Sequence, residues 1–94
     1  MDKIQVDIFA LQPSPTTGGG AFALILRELN GNRRLPIIIG AHEAQAIAIE
    51  LENLKPPRPL THDLIKSIIE ALGATISEIV ITELKEGTFY SKIY

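Results

Sequence analysis

A chain of 94 residues supports one hydrophobic core rather than two, because small domains bury a limited share of their surface on folding, so a single domain over residues 1–94 is expected. Apolar residues make up 46% of the chain and cysteine is absent, which excludes a disordered tail, disulfide staples and thiolate metal sites. The net charge of −2 gives no overall attraction for a polyanion, so any nucleic-acid contact has to be local.

In chain order, Ile4, Val6, Ile8 and Ala10 alternate with Lys3, Gln5, Asp7 and Phe9, the period-two pattern of a strand with one buried face. The pattern breaks at Gln12-Pro13-Ser14-Pro15, and Thr16-Thr17-Gly18-Gly19-Gly20 extends the break as a flexible connection. No lysine and no helix follow those glycines, so they do not read as a phosphate loop. Ala21 to Leu29 resumes an extended apolar pattern, and Asn30-Gly31-Asn32 turns the chain. Asparagine and glycine tolerate the positive φ of tight hairpins, which predicts antiparallel pairing with a third strand at Arg33 to Ile39. Pro36 favours an edge position in that strand.

After Gly40 the period changes. Ala44, Ile47, Ala48, Leu51 and Leu54 share one stripe and predict an amphipathic helix from about Ala41 to Asn53. Lys55-Pro56-Pro57-Arg58-Pro59 ends it. Thr61 is placed to cap a second helix, with Asp63 in its first turn, Leu64, Ile65, Ile68, Ile69 and Leu72 inward, and Gly73 closing it. Ala74 to Leu84 predicts a fourth strand, Lys85-Glu86-Gly87-Thr88 a turn, and Phe89 to Tyr94 a fifth. The expected fold class is α+β in βββααββ order, a mostly antiparallel sheet packed against two helices. No apolar run approaches the ~20 residues of a membrane-spanning helix, and the N-terminus enters a strand pattern without an export signal, so a cytoplasmic location is expected.

Three segments, Ile38-Ile39-Gly40 with Glu43-Ala44, Arg58-Pro59-Leu60-Thr61-His62-Asp63-Leu64, and Gly87-Thr88-Phe89-Tyr90, resemble in order and spacing the bifunctional nuclease domain family. The middle segment is the most specific of the three. The resemblance implies hydrolysis of phosphodiester bonds in RNA and DNA, the activity for which the family is named. The family's pattern continues beyond the Phe-Tyr strand with a second Arg-Pro motif, Ser-Asp-Ala and another helix, whereas this sequence stops at Tyr94. It is therefore expected to represent the N-terminal part of the domain, with an apolar strand edge left free to pair with a second copy.

Phosphodiester hydrolysis needs charge stabilised on the phosphoryl oxygens, an activated water and help for the leaving oxygen. The candidate catalytic residues are Glu43, Arg58, His62 and Asp63, with His42 a lesser one. Adjacent helical positions point about 100° apart, so His62 and Asp63 are not expected to face one another. Asp63 also suits the positive end of the helix dipole, Glu43 suits either an amide cap or a cleft, and Arg58, stiffened between prolines, suits a phosphate or a carboxylate such as Glu43. Arg33 and Arg34, the one adjacent pair of positive charges, are the candidate nucleic-acid contacts. No metal-binding signature is present, which leaves the cofactor open, with Mg²⁺ or Mn²⁺ the ions such chemistry would use. The alternative to a nuclease is a non-catalytic binding or dimerisation module, in which the same residues hold helix and loop in place.

Overall fold

The computed structural model describes residues 3–14 and 20–94. The expected flexible connection at Thr16 to Gly19 lies outside the described residues. The element order is β1 (Val6–Pro13), β2 (Phe22–Glu28), β3 (Arg34–Ile39), α1 (Ala41–Leu51), α2 (Thr61–Ala71), β4 (Ile79–Lys85) and β5 (Thr88–Ile93). This is the α+β order read from the sequence, and every strand pair is antiparallel. The chain divides into two compact units, Met1–Lys55 and Pro56–Tyr94. The boundary falls in the proline-rich segment, where missing backbone donors and fixed φ angles oppose helix continuation.

In the first unit the sheet order is β1-β2-β3. Pro36 sits in edge strand β3 opposite Ile25, where a residue without an N–H interrupts no ladder on its outer side. The β1–β2 register slips between Ile8 and Ala10, leaving Phe9 as the extra residue of a β-bulge. The bulge breaks the strict alternation expected along β1. Val6 and Ile8 are exposed rather than buried, and protection moves to Ala10 and Leu11. On β3, Leu35, Ile37 and Ile39 are the half-buried positions while Arg34, Pro36 and Ile38 are exposed. Helix α1 packs against β2, and Ala23, Leu26 and Ala44 are the buried apolar residues among those described.

The turn joining β2 to β3 is closed by side chains. None of Asn30, Gly31 and Asn32 adopts a positive φ, contrary to the tight primed turn their composition predicts. Instead the Glu28 carboxylate reaches across the loop, accepting the Arg33 N–H at 3.1 Å and two guanidinium bonds at 2.8 and 2.9 Å. A Cβ at Gly31 would lie 2.7 Å from Glu28 Oε1, so a larger residue there would have to displace the end of that carboxylate.

Both helices end in Schellman motifs. In α1 the N–H groups of Asn53 and Leu54 donate to the carbonyls of Glu50 and Ile49, and in α2 those of Gly73 and Ala74 donate to Glu70 and Ile69. In the second unit β4 and β5 form a hairpin, extended by bonds from Ser77 N–H to the Tyr94 carbonyl and from Tyr94 N–H to the Glu78 carbonyl. Its two-residue turn, Glu86 (φ 52) and Gly87 (φ 78), has both central residues left-handed, as a type I′ turn requires. The fourth strand begins at Ile79 rather than Ala74, and the Schellman turn takes up Gly73 and Ala74. Thr82 is the bulged residue of β4, and its hydroxyl donates to the Tyr90 carbonyl at 3.2 Å. No described helix is long and apolar enough to cross a membrane.

Candidate functional site

Of the residues singled out in the sequence, Arg33, Arg34, His42 and Glu43 belong to the first unit, and Arg58, His62 and Asp63 to the second.

Helix α2 begins after Leu60, which occupies the N-cap position with extended backbone. Thr61 is therefore the first helical residue and not the cap. Leucine offers no acceptor, so the exposed amides of the first turn get no help from it. Asp63 takes one of them by reaching backwards, its Oδ2 accepting the Leu60 N–H at 3.0 Å. This is the acidic half of a capping box, made easier because helical side chains lean toward the N-terminus. The same swing carries Oδ1 to within 3.4 Å of His62 Nε2. The 100° separation of neighbouring positions thus fails to keep the two apart: a short side chain bent toward the helix start crosses the angle that the wheel assigns. The pair is open to water, with side-chain exposures of 51% for His62 and 41% for Asp63, so a ligand has free access. One carboxylate both holds the helix start and lies beside an imidazole.

Arg58 is exposed on the segment preceding α2, and no carboxylate of its own unit forms an ion pair with it among the described residues. Its proline neighbours limit the backbone that carries it. Glu43 and His42 occupy the first turn of α1 and are exposed. Glu43 does not cap an amide among the described residues. Its carboxylate instead lies over Gly40, with Oε2 2.6 Å from where a Cβ would stand. Among the described residues no three or more His, Asp or Glu side chains are grouped to hold a metal ion. His62 and Asp63 offer two donors, which does not amount to a dedicated protein cage for Mg²⁺ or Mn²⁺.

The two candidate nucleic-acid contacts prove unlike. Arg33 is bound bidentately by Glu28, an interaction that lowers the Glu28 pKa, chiefly through the side-chain hydrogen bond. Arg34 has no carboxylate partner among the described residues. Its guanidinium lies 4.4 Å from the centroid of the Phe9 ring, with only long bonds of 3.4 and 3.5 Å to the Asn32 and Arg33 carbonyls. Arg27 flanks the same ring at 5.8 Å and pairs with Asp7 at 2.8 Å. Phe9 is 50% exposed. An exposed cation–π contact contributes about 0.5–1 kcal/mol, less than the ~1.5–3 kcal/mol of burying such a ring, so the contact does not explain why an aromatic stands in water. Sequence reasoning passed over Phe9 and Arg27. The available clue was an aromatic among the polar alternates Lys3, Gln5 and Asp7 of β1.

The chain is an α+β fold in which the Arg58-to-Leu64 segment leads into a helix and Gly87-to-Tyr90 turns a hairpin, and sequence comparison identifies its family. The model of the bifunctional nuclease domain matches residues 24–94, and the chain belongs to that family. It is 57% identical over 70 residues to an uncharacterized protein of Mycobacterium tuberculosis, a match covering 74% of this chain and 43% of the relative. It is 29% identical over 73 residues to Bifunctional nuclease 1 of Oryza sativa subsp. japonica, covering 77% of this chain and 22% of that protein. The chain thus spans less than half the length of these curated relatives.

Proposed function

We propose that the protein hydrolyses phosphodiester bonds in RNA and DNA, in the cytoplasm. The observation that carries the reading is the family match over residues 24–94, together with the printed name of the rice relative. The geometry of α2 supports a role for each residue there. His62, oriented by Asp63, transfers a proton to or from the reacting oxygens, and orientation by a carboxylate sets which ring nitrogen is available. Arg58, on a backbone limited by its proline neighbours, supplies a guanidinium for a phosphate, matching its planar fork to two phosphoryl oxygens. Glu43, in the first unit and free of an amide cap among the described residues, is proposed as a candidate catalytic carboxylate in its own right.

The test is cleavage of labelled RNA and DNA, with and without Mg²⁺ or Mn²⁺, by protein freed of contaminating nuclease, beside a His62→Ala variant of verified fold. Cleavage by the parent that falls at least ~100-fold in the variant, the span of general acid–base catalysis, upholds the reading. Cleavage unchanged by the substitution removes His62 from it. No cleavage in any arm defeats hydrolysis by this chain.

One observation favours a second reading, a non-catalytic dimerisation module. No residue of α2 is buried, and Leu64, Ile65, Ile68 and Leu72 stand 54%, 52%, 51% and 80% exposed along its apolar side. That spacing is the inward stripe of an amphipathic helix, and apolar area of this kind is covered in an assembly. A second copy of the chain is the proposed cover, and a monomer by sedimentation equilibrium at high protein concentration would exclude it.

A further inference from the structure

We infer that the end of the three-stranded sheet at Phe9, Arg27 and Arg34 is a stacking platform for single-stranded nucleic acid. The ligand class rests on the nucleic-acid reading above; the surface is argued from register and ring contacts, and Phe9 precedes the family match, which begins at residue 24.

The platform follows from register. Asp7 pairs with Arg27 and Arg27 with Arg34, so the three occupy one row across the sheet, and directly opposed residues share a face. The bulge then inserts Phe9 beside this row, and its ring comes to rest against both guanidinium groups. Without the extra residue the alternation of β1 would continue unbroken, with no register shift beside the row. Along edge strand β3 the same face continues with exposed Pro36 and Ile38, an apolar floor next to the ring.

Charge decides which ligand suits it. Asp7 offsets Arg27, whereas no described carboxylate offsets Arg34, so the row carries one uncompensated positive charge against a half-exposed aromatic ring. A base laid on Phe9 with its phosphate at Arg34 satisfies both groups, the combination by which proteins hold unpaired strands. A duplex does not fit in the same way, because its bases are already stacked on one another and offer only phosphates to the arginine. The net charge of −2 supplies no general attraction, so stacking has to contribute much of the affinity. Each phosphate contacted lowers log K by only about 0.7 per unit of log salt concentration.

The experiment is fluorescence anisotropy with labelled oligonucleotides on the whole chain, checked on gels to be uncut. RNA and DNA strands of one sequence, the matching duplex and an abasic strand of equal length are compared against the parent, Phe9→Leu and Arg34→Gln. Phe9→Leu keeps apolar bulk and loses the π face, and circular dichroism verifies its fold; Phe9→Tyr keeps the face and serves if leucine perturbs β1. We expect each single strand to bind about tenfold more weakly to Phe9→Leu and to Arg34→Gln, with Phe9→Tyr restoring the parent affinity. The abasic strand and the duplex should bind the parent no better than the intact strand binds Phe9→Leu. A preference for RNA over DNA would place the 2′-hydroxyl in the contact, and equal binding would assign the affinity to base and phosphate; both uphold the platform. Binding indifferent to Phe9, equal affinity for the abasic strand, or no single-strand binding overturns it. So does self-association of the parent that Phe9→Leu abolishes, since a second copy would then be the occupant. Cleavage by a protein whose binding ignores Phe9 leaves hydrolysis standing without the platform, and Phe9-dependent binding without cleavage does the reverse.

Discussion

Asp63 carries two tasks on one carboxylate, and substitution separates them. Its Oδ2 holds the Leu60 N–H at the start of α2, and its Oδ1 faces His62. Asp63→Ala removes the acceptor and should cost about 1 kcal/mol, the usual loss at a helix cap, or ~4–8 °C in Tm for a domain this small. Asp63→Asn keeps an acceptor for Leu60 and removes the charge facing the imidazole, so thermal denaturation should stay within about 0.5 kcal/mol of the parent while any His62-dependent cleavage falls. Equal loss of stability in both variants would show that the charge, and not the hydrogen bond, holds the helix start. Here the sequence was partly legible: an acid in the first turn has a general electrostatic reason to be there. Its partner was not, because a helical wheel fixes where Cβ atoms point and leaves the side-chain torsions free. The same limit hid the difference between Arg33 and Arg34, which only the reach of Glu28 and the place of Phe9 reveal.

Among the elements, the β2–β3 hairpin shows how a turn of familiar composition can be closed by another device. Asn30-Gly31-Asn32 suggested positive φ angles, yet the loop is held by Glu28 gripping Arg33, and Gly31 gives that carboxylate room. The interaction lowers the Glu28 pKa from its ordinary 4.5. A carboxylate depressed on folding contributes stability that is present above its unfolded pKa and lost as pH falls through the folded value. The hairpin should therefore weaken on acidification below about 4.5, most visibly at low salt because the pair faces water. Amide exchange at Glu28 and Arg33 across that range is the measurement, and Glu28→Gln should flatten this pH response. An unchanged acid response in the glutamine variant would assign it to other carboxylates. Elsewhere element type followed from pattern: helical periods gave α1 and α2, and Glu86-Gly87 gave a true two-residue turn. Strand faces were less secure, because one extra residue at Phe9 or Thr82 shifts every side chain beyond it, and the only mark of the bulge in β1 is an aromatic at a polar alternate.

At the scale of the whole chain, the open matter is how the two compact units unfold, and we propose that residues 1–94 act as one domain. Composition argued for one core, yet the buried residues Ala23, Leu26 and Ala44 all lie before the proline-rich segment, while α2 and the β4–β5 hairpin keep large apolar side chains exposed. A single cooperative domain loses all its structure at one denaturant concentration whichever probe is used. The tyrosines make the comparison direct, since Tyr90 and Tyr94 both lie in the second unit and the first contains none. Tyrosine fluorescence then reports the second unit alone, and far-ultraviolet circular dichroism reports both. In urea the two transitions should coincide in midpoint and slope. A tyrosine transition at lower urea would mean that the unit bearing Arg58, His62 and Asp63 melts independently. In that case, a midpoint that rises with protein concentration would identify mass-action coupling to a second copy, covering the α2 face, as what stabilises it.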